Sequence, residues 1–213
     1  MKKASLLVII ILMCALSAVA QITADSLREA DLLFVVNPQG NPITSVTHGT
    51  QGLSIDHVAI FHRMSSGAPS VIEAVGRGVT MVPLDTFRHE QMAPTASEAV
   101  VVVGRVNVPG FNSYESITRA MRQLGKPYDY YYEPTDSALY CSELATLCFV
   151  DDLGRPVLGT VPMEFRDKEG RIPEFWVRHY AARGLSVPEG APGSNPGELS
   201  RRPQVTILGR LKW

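Results

Sequence analysis

The sequence predicts an α+β domain, with an antiparallel sheet or half-barrel in its first half and helices in its second half. Between residues 31 and 107, short apolar and β-branched runs alternate with turns rich in Gly, Pro, Ser and Asn, as in antiparallel strands. From residue 113 onward, apolar residues recur at helical spacing between helix-capping residues. A hydrophobic content of 45% provides for a sizeable core and excludes a disordered chain.

Residues 1–20 have the pattern of a secretory signal peptide. Two lysines open the chain, and an apolar run over residues 4–16 follows them. The small residues Ala18 and Ala20 then place a cleavage site before Gln21. We therefore expect an exported protein that is periplasmic or associated with the cell envelope.

The mature chain is expected to be one domain, residues 21–213, without a membrane span. An uncleaved anchor is the alternative for the leader, although its apolar run is short for a bilayer. Lipidation of Cys14 is a further alternative, but the residues before it lack the small side chain expected there. Loss of the two leader lysines changes the formal charge from −1 to −3, and no basic stripe suggests nucleic acid as a partner.

The elements follow in chain order. Alternation and turn signals predict strands at residues 31–36, 57–63, 70–75, 78–84 and 99–107. Gly76 and Arg77 join the third and fourth of these strands into a hairpin. Helices are predicted at residues 114–124, behind the cap Ser113, and at about 140–150 and 174–183. Residues 185–203 hold four prolines and three glycines and predict an extended arm, and residues 204–211 predict a late edge strand.

Two cysteines remain in the mature chain, Cys141 and Cys148. On one helix, seven residues separate them by roughly 10 Å along the axis. That exceeds the reach of a disulfide, about 7 Å between α-carbons. An exported protein normally pairs or avoids its cysteines, so two free thiols call for another explanation.

Cys141 is the candidate nucleophile. It stands at the predicted start of a helix, where the backbone amides and the helix dipole stabilise a thiolate and can bind an oxyanion. The polar neighbours Ser142 and Glu143 set it apart from an ordinary core cysteine, which remains the alternative. Cys148 lies in an apolar run and fits that structural role.

His57 is the candidate general base, because a nucleophilic cysteine needs a group that accepts its proton near neutral pH. It opens a predicted strand, from which it can reach a helix docked at the sheet edge. His62 lies on the same strand but five positions on, so it faces the other way. The remaining histidines have weaker contexts: a loop, a charged turn and a late helix, at His48, His89 and His179.

Glu73 is the candidate for the group that orients the imidazole. An acid in the middle of an apolar strand costs free energy unless it has a partner. If the strands at 57–63 and 70–75 are neighbours, Glu73 can lie across from His57 and hold its second nitrogen. An outward-facing glutamate on a half-wet sheet is the alternative for Glu73, and Asp56 is a competitor for the orienting role.

Six segments occur in the order DLLF, DHVAI, VIEA, VPL, GKPYD and YCSEL, at residues 31–34, 56–60, 71–74, 82–84, 125–129 and 140–144. Together they resemble the permuted papain-like amidases of the YaeF/YiiX type, within the wider NlpC-type superfamily of cysteine peptidases. The match covers roughly residues 30–180, with Ala30 and Ala59 at positions where relatives often have glycine. The resemblance implies a circularly permuted papain-like fold, in which the histidine strand precedes the cysteine helix, and a triad of Cys141, His57 and Glu73.

Tyrosines near the candidate nucleophile are predicted to line the substrate groove, because tyrosine offers both an apolar face and a hydroxyl. Tyr128, Tyr131 and Tyr140 are the chosen residues, and a connector packed on the sheet is the alternative. The arm at residues 185–203 is a candidate cover for the site. Metal-ligand motifs and phosphate-binding loops are missing from the sequence, so no metal or cofactor is expected.

The expected function is that of an exported cysteine hydrolase. Cys141 would attack an amide carbonyl and form a thioester, and the resemblance implies cell-wall peptides or N-acylated, lipid-like molecules as substrates. One alternative is a lipid acyltransferase or thioesterase on the same triad, as in relatives of lecithin:retinol acyltransferase, which an apolar tunnel to Cys141 would favour. The other is a non-catalytic binding module that keeps the fold.

Overall fold

A seven-stranded sheet organises the chain in the computed structural model, which describes residues 21–91 and 100–213. The strand order is β1-β9-β6-β2-β3-β4-β5, and all neighbours are antiparallel except β1 and β9. The strands of this sheet are β1 (Gln21–Thr23), β2 (Leu32–Val36), β3 (Ile55–Arg63), β4 (Pro69–Val75), β5 (Gly78–Pro83), β6 (Val100–Val106) and β9 (Val205–Lys212).

Five α-helices, two short 3₁₀ helices (Ala24–Ser26 and Thr50–Gly52) and a two-stranded ribbon complete the described part of the chain. The ribbon pairs β7 (Val161–Pro162) with β8 (Pro192–Gly193). The helices are α1 (Leu84–Glu90), α2 (Ser113–Met121), α3 (Cys141–Cys148), α4 (Glu174–Ala181) and α5 (Pro196–Leu199). The predicted α+β class and the antiparallel sheet are confirmed.

The predicted elements are found within a few residues of their expected limits, with three corrections. The run at 204–211 is not an edge strand, because β1 covers the outer side of β9. The strand predicted at 78–84 ends at Pro83, where α1 begins, so His89 lies in a helix and not in a turn. The arm at 185–203 is not extended throughout, because it contains both β8 and α5.

Both faces of the sheet are buried, which explains the nearly continuous apolar runs of its strands. One face, with Phe34, Val58 and Ile60, packs against α2 and α3. The opposite face, with Phe61 and residues of the neighbouring strands, packs against α1. Successive side chains of β3 therefore enter two different cores.

The strands β3 and β4 are paired along only part of their length. Their ladder joins Ile60–Arg63 to Pro69–Ile72, whereas the first half of β3 pairs with β2 alone. His57 and Glu73 both lie beyond the end of this ladder. The N-terminal end of β3 also carries a register shift against β2, between Val35 and Val36. His57 is thus the third residue of its strand, and not the first as predicted.

The predicted signal peptide, residues 1–20, and Cys14 with it, lie outside the described residues. Within residues 21–91 and 100–213, every helix is too short and too polar to cross a bilayer.

Candidate active site

Cys141 is the first residue of α3, and Tyr140 is the N-cap. The backbone amide of Tyr140 donates to Glu143 Oε2 at 3.3 Å, so this glutamate stabilises the start of the helix. Cys141 is only 4% exposed, yet it lines a pocket that opens to solvent. Its position at a helix N-terminus is the one that stabilises a thiolate.

His57 and Glu73 form a short, nearly buried contact. Nε2 of His57 lies 2.7 Å from Oε2 of Glu73, with 14% of the His57 side chain exposed and none of the Glu73 side chain. The N–H at Nε2 donates to the carboxylate, which leaves Nδ1 as the nitrogen that faces a second partner. The structure therefore gives the acid in the middle of β4 the partner that its burial requires.

That second partner is Cys141. Burial alone lowers the pKa of His57, but the hydrogen bonds to Cys141 and Glu73 and the charges of both groups outweigh it. The pKa of His57 is raised from its ordinary value of 6.5 to about 10. An imidazole with so high a pKa carries its proton at neutral pH.

The competitors for the orienting role are engaged elsewhere. The Asp56 carboxylate accepts hydrogen bonds from Asn37 and Asn41, at 2.8 and 2.7 Å, in the loop that precedes β3. His62, on the opposite face of β3, has its own carboxylate partner in Glu29, at 2.9 Å from Nδ1. The structure thus brings Cys141, His57 and Glu73 together and leaves Asp56 and His62 outside the group.

The second thiol is of a different kind. Cys148 ends α3 inside the core, and burial raises its pKa to about 12. Both cysteines are free, as their spacing predicted. Because Cys148 stays protonated at neutral pH, it is a natural internal control for the reactivity of Cys141.

A pocket of about 310 Å³ opens beside Cys141. Its wall is mainly apolar and comes from four parts of the chain: the loop before β3, the connector that leads into the start of α3, the region around β7 and α4, and the arm. Apolar lining residues include Ile43, Val46, Val161, Met163, Phe165, Trp176 and Pro196. Polar groups around it include Thr47, Ser142, Glu164, Ser194, Asn195, Glu198 and Arg201.

Two of the three tyrosines predicted at the groove line this pocket, namely Tyr128 and Tyr140. Tyr131 is not among the lining residues, because its ring stacks on His179 and lies under the guanidinium of Arg183. Its neighbour Tyr132 lines the pocket instead. Consecutive side chains in this connector point in different directions, and no pattern in the sequence indicates which tyrosine faces the pocket.

The arm contributes directly to the site. The backbone amide of Ser194 donates to the Tyr140 hydroxyl at 3.0 Å, and the Ser194 hydroxyl donates to Ser142 Oγ at 2.9 Å. All three side chains are buried. The residues on both sides of Cys141 are therefore hydrogen-bonded to the segment of the arm that follows β8. From the sequence, the arm was predicted only as a candidate cover for the site.

The fold is papain-like. The metalloprotein YiiX from Escherichia coli O157:H7 has a similar structure, with a TM-score of 0.67 and 23% sequence identity over 87% of this chain and 98% of that one. Residues 27–208 match the family of permuted papain-like amidase enzymes, the YaeF/YiiX or C92 family. The chain belongs to this family. No match was found among curated proteins.

Because that relative is described as a metalloprotein, we tested the described residues for a metal site. Residues 21–91 and 100–213 contain no group of three or more His, Cys, Asp or Glu side chains arranged to hold a metal ion. The donor residues within these two ranges therefore do not fit a metal centre.

Proposed function

We propose that the protein is an exported cysteine amidase that uses Cys141 as nucleophile, His57 as proton carrier and Glu73 as orienting acid. The observation that carries this proposal is the short contact from Glu73 to His57, on the nitrogen opposite the one available to Cys141. Membership of a family of papain-like amidases supports it.

In the proposed reaction, the thiolate of Cys141 attacks the carbonyl carbon and forms a tetrahedral intermediate. The backbone amide at the start of α3 donates to the oxyanion. The imidazolium of His57 then gives its proton to the leaving amine, and a thioester on Cys141 remains. In the second half, neutral His57 takes a proton from water, and the resulting attack on the thioester releases the acid and frees the thiolate.

The pocket favours an apolar acyl group on the substrate. Its apolar wall surrounds the approach to Cys141, whereas the peptides of the cell wall are strongly polar. We infer that N-acylated, lipid-like amides are hydrolysed in preference to cell-wall peptides. The same pocket makes a lipid acyltransferase or thioesterase the second candidate, with an alcohol or amine in place of water in the second half-reaction.

The test is hydrolysis of N-acyl amino acids of increasing acyl length, compared with peptidoglycan fragments. We expect cleavage of the acyl amides, loss of activity in Cys141→Ala, and near wild-type activity in the matched variant Cys148→Ala. Added acceptor amines or alcohols reveal transfer as new acylated products. Equal activity of the two cysteine variants would contradict the assignment of the nucleophile.

A further inference from the structure

The buried carboxylate of Glu73 is only half satisfied by His57. One oxygen, Oε2, lies against the imidazole, but Oε1 is buried without a hydrogen-bond partner. A buried carboxylate oxygen without a donor costs free energy, so its surroundings must compensate the charge in another way.

Arg77 supplies the nearest such charge. Its guanidinium Nη2 lies 3.6 Å from Glu73 Oε1, and the same nitrogen donates to Glu90 Oε2 at 2.8 Å. Glu90 is the last residue of α1, so the guanidinium is held by a helix end on one side and faces the buried carboxylate on the other.

The hairpin turn that carries Arg77 is fixed to the rest of the site. The amide of Val79 donates to the carbonyl of Lys126 at 2.8 Å, and the Tyr130 hydroxyl donates to the carbonyl of Gly76 at 3.3 Å. Gly78, with φ of +101°, packs so closely that a Cβ would stand 2.5 Å from the Lys126 carbonyl oxygen. The backbone at Arg77 is thus set by the segment that leads to α3.

We propose that Arg77 is a positioning residue that holds the Glu73 carboxylate in place and aimed at His57. The proposal rests on the proposed function, because it assigns a role in maintaining the imidazolium and thiolate of that site. The cation acts through the carboxylate and does not touch the substrate. Its side chain is 48% exposed, so solvent weakens its effect and the expected change is moderate.

The test is the pH dependence of Cys141 alkylation by iodoacetamide in Arg77→Met. Without the cation, the Glu73 carboxylate is held less firmly toward His57 and supports the imidazolium less. We expect the acid limb of the alkylation rate to move to higher pH by about one unit, the size of a single exposed charge at this range. Arg77→Lys should restore most of the wild-type profile.

The matched control is Arg119→Met, which removes an arginine paired with Glu115 on α2, away from the triad. Its acid limb should coincide with that of the wild type. A purely structural role of Arg77 would lower the rate by the same factor at every pH, and that result, or an unmoved limb in Arg77→Met, would overturn the proposal. If wild-type Cys141 reacts no faster than Cys148, the proposed function itself fails.

Discussion

Glu73→Gln is the most direct perturbation of the proposed site, because it removes a charge and preserves the shape of the side chain. The glutamine can still accept the hydrogen bond from His57 Nε2, so the orientation of the ring is largely kept. What disappears is the negative charge 2.7 Å from the imidazole, in a setting from which water is almost excluded.

The magnitude follows from this geometry. A neighbouring opposite charge at such a distance shifts a pKa by about 1–3 units. The pKa of His57 should therefore fall from about 10 to between about 7 and 9 in the variant. Since one unit corresponds to about 1.4 kcal/mol, the imidazolium loses about 1.4–4 kcal/mol of stabilisation, and the basic limb of the kcat/KM profile should move to lower pH by about 1–3 units.

The assay is the pH profile of kcat/KM together with the pH profile of Cys141 alkylation. The basic limb of these profiles reports loss of the proton from His57. Glu29→Gln is the matched control, since Glu29 pairs with His62 at 2.9 Å on the opposite face of the same strand. The control should keep the wild-type basic limb. An unmoved basic limb in Glu73→Gln, or an equal shift in both variants, would refute the reasoning.

Two further predictions concern the surroundings of the nucleophile. Burial raises the pKa of Glu143 from 4.5 to about 8, so its contribution to stability is complete below pH 4.5 and is lost as the pH rises through 8. The melting temperature of Glu143→Gln relative to the wild type should therefore increase between pH 5 and pH 9; a constant difference would contradict this. A Cβ at Gly193 would stand 2.4 Å from Met163 Sδ and push that flexible side chain into the pocket it lines. In Gly193→Ala, kcat/KM for long acyl groups should fall by about 10-fold relative to short ones, and an unchanged ratio would argue against this pocket as the acyl site.

Much of the fold was predictable because the strands are short, strongly apolar and separated by turn residues. What failed were the features that depend on long-range pairing. The position of β9 inside the sheet follows from its parallel pairing with Gln21–Thr23, some 190 positions earlier, which no local pattern announces. Helix α1 had a local signal in the sequence, with Asp85 in its first turn and Arg88 and His89 in its last. The predicted strand at 78–84 nevertheless included the first residue of this helix.

For the site, each candidate residue was predicted on the correct kind of element, but the exact geometry between the candidates was not predicted. Glu73 was expected directly across from His57, whereas the ladder between β3 and β4 ends at Ile60 and Ile72. The two side chains meet where the strands are no longer paired. The roles of Arg77 and Ser194 could not be predicted from the sequence. Ser194 contacts a segment that is distant in the chain, and Arg77 contacts Glu73 through the geometry of a turn.

The end of the β3–β4 ladder explains why the triad can exist in this core. Where the two strands are paired, side chains such as Ile60, Phe61 and Ile72 enter one apolar cluster or the other. Beyond the ladder, an imidazole, a carboxylate and the first turn of α3 come together and compensate one another. Apolar side chains of similar size would serve stability equally well or better at such a position. A buried carboxylate with one unsatisfied oxygen, held beside a histidine and a helix-terminal cysteine, is therefore best explained by chemistry and not by folding.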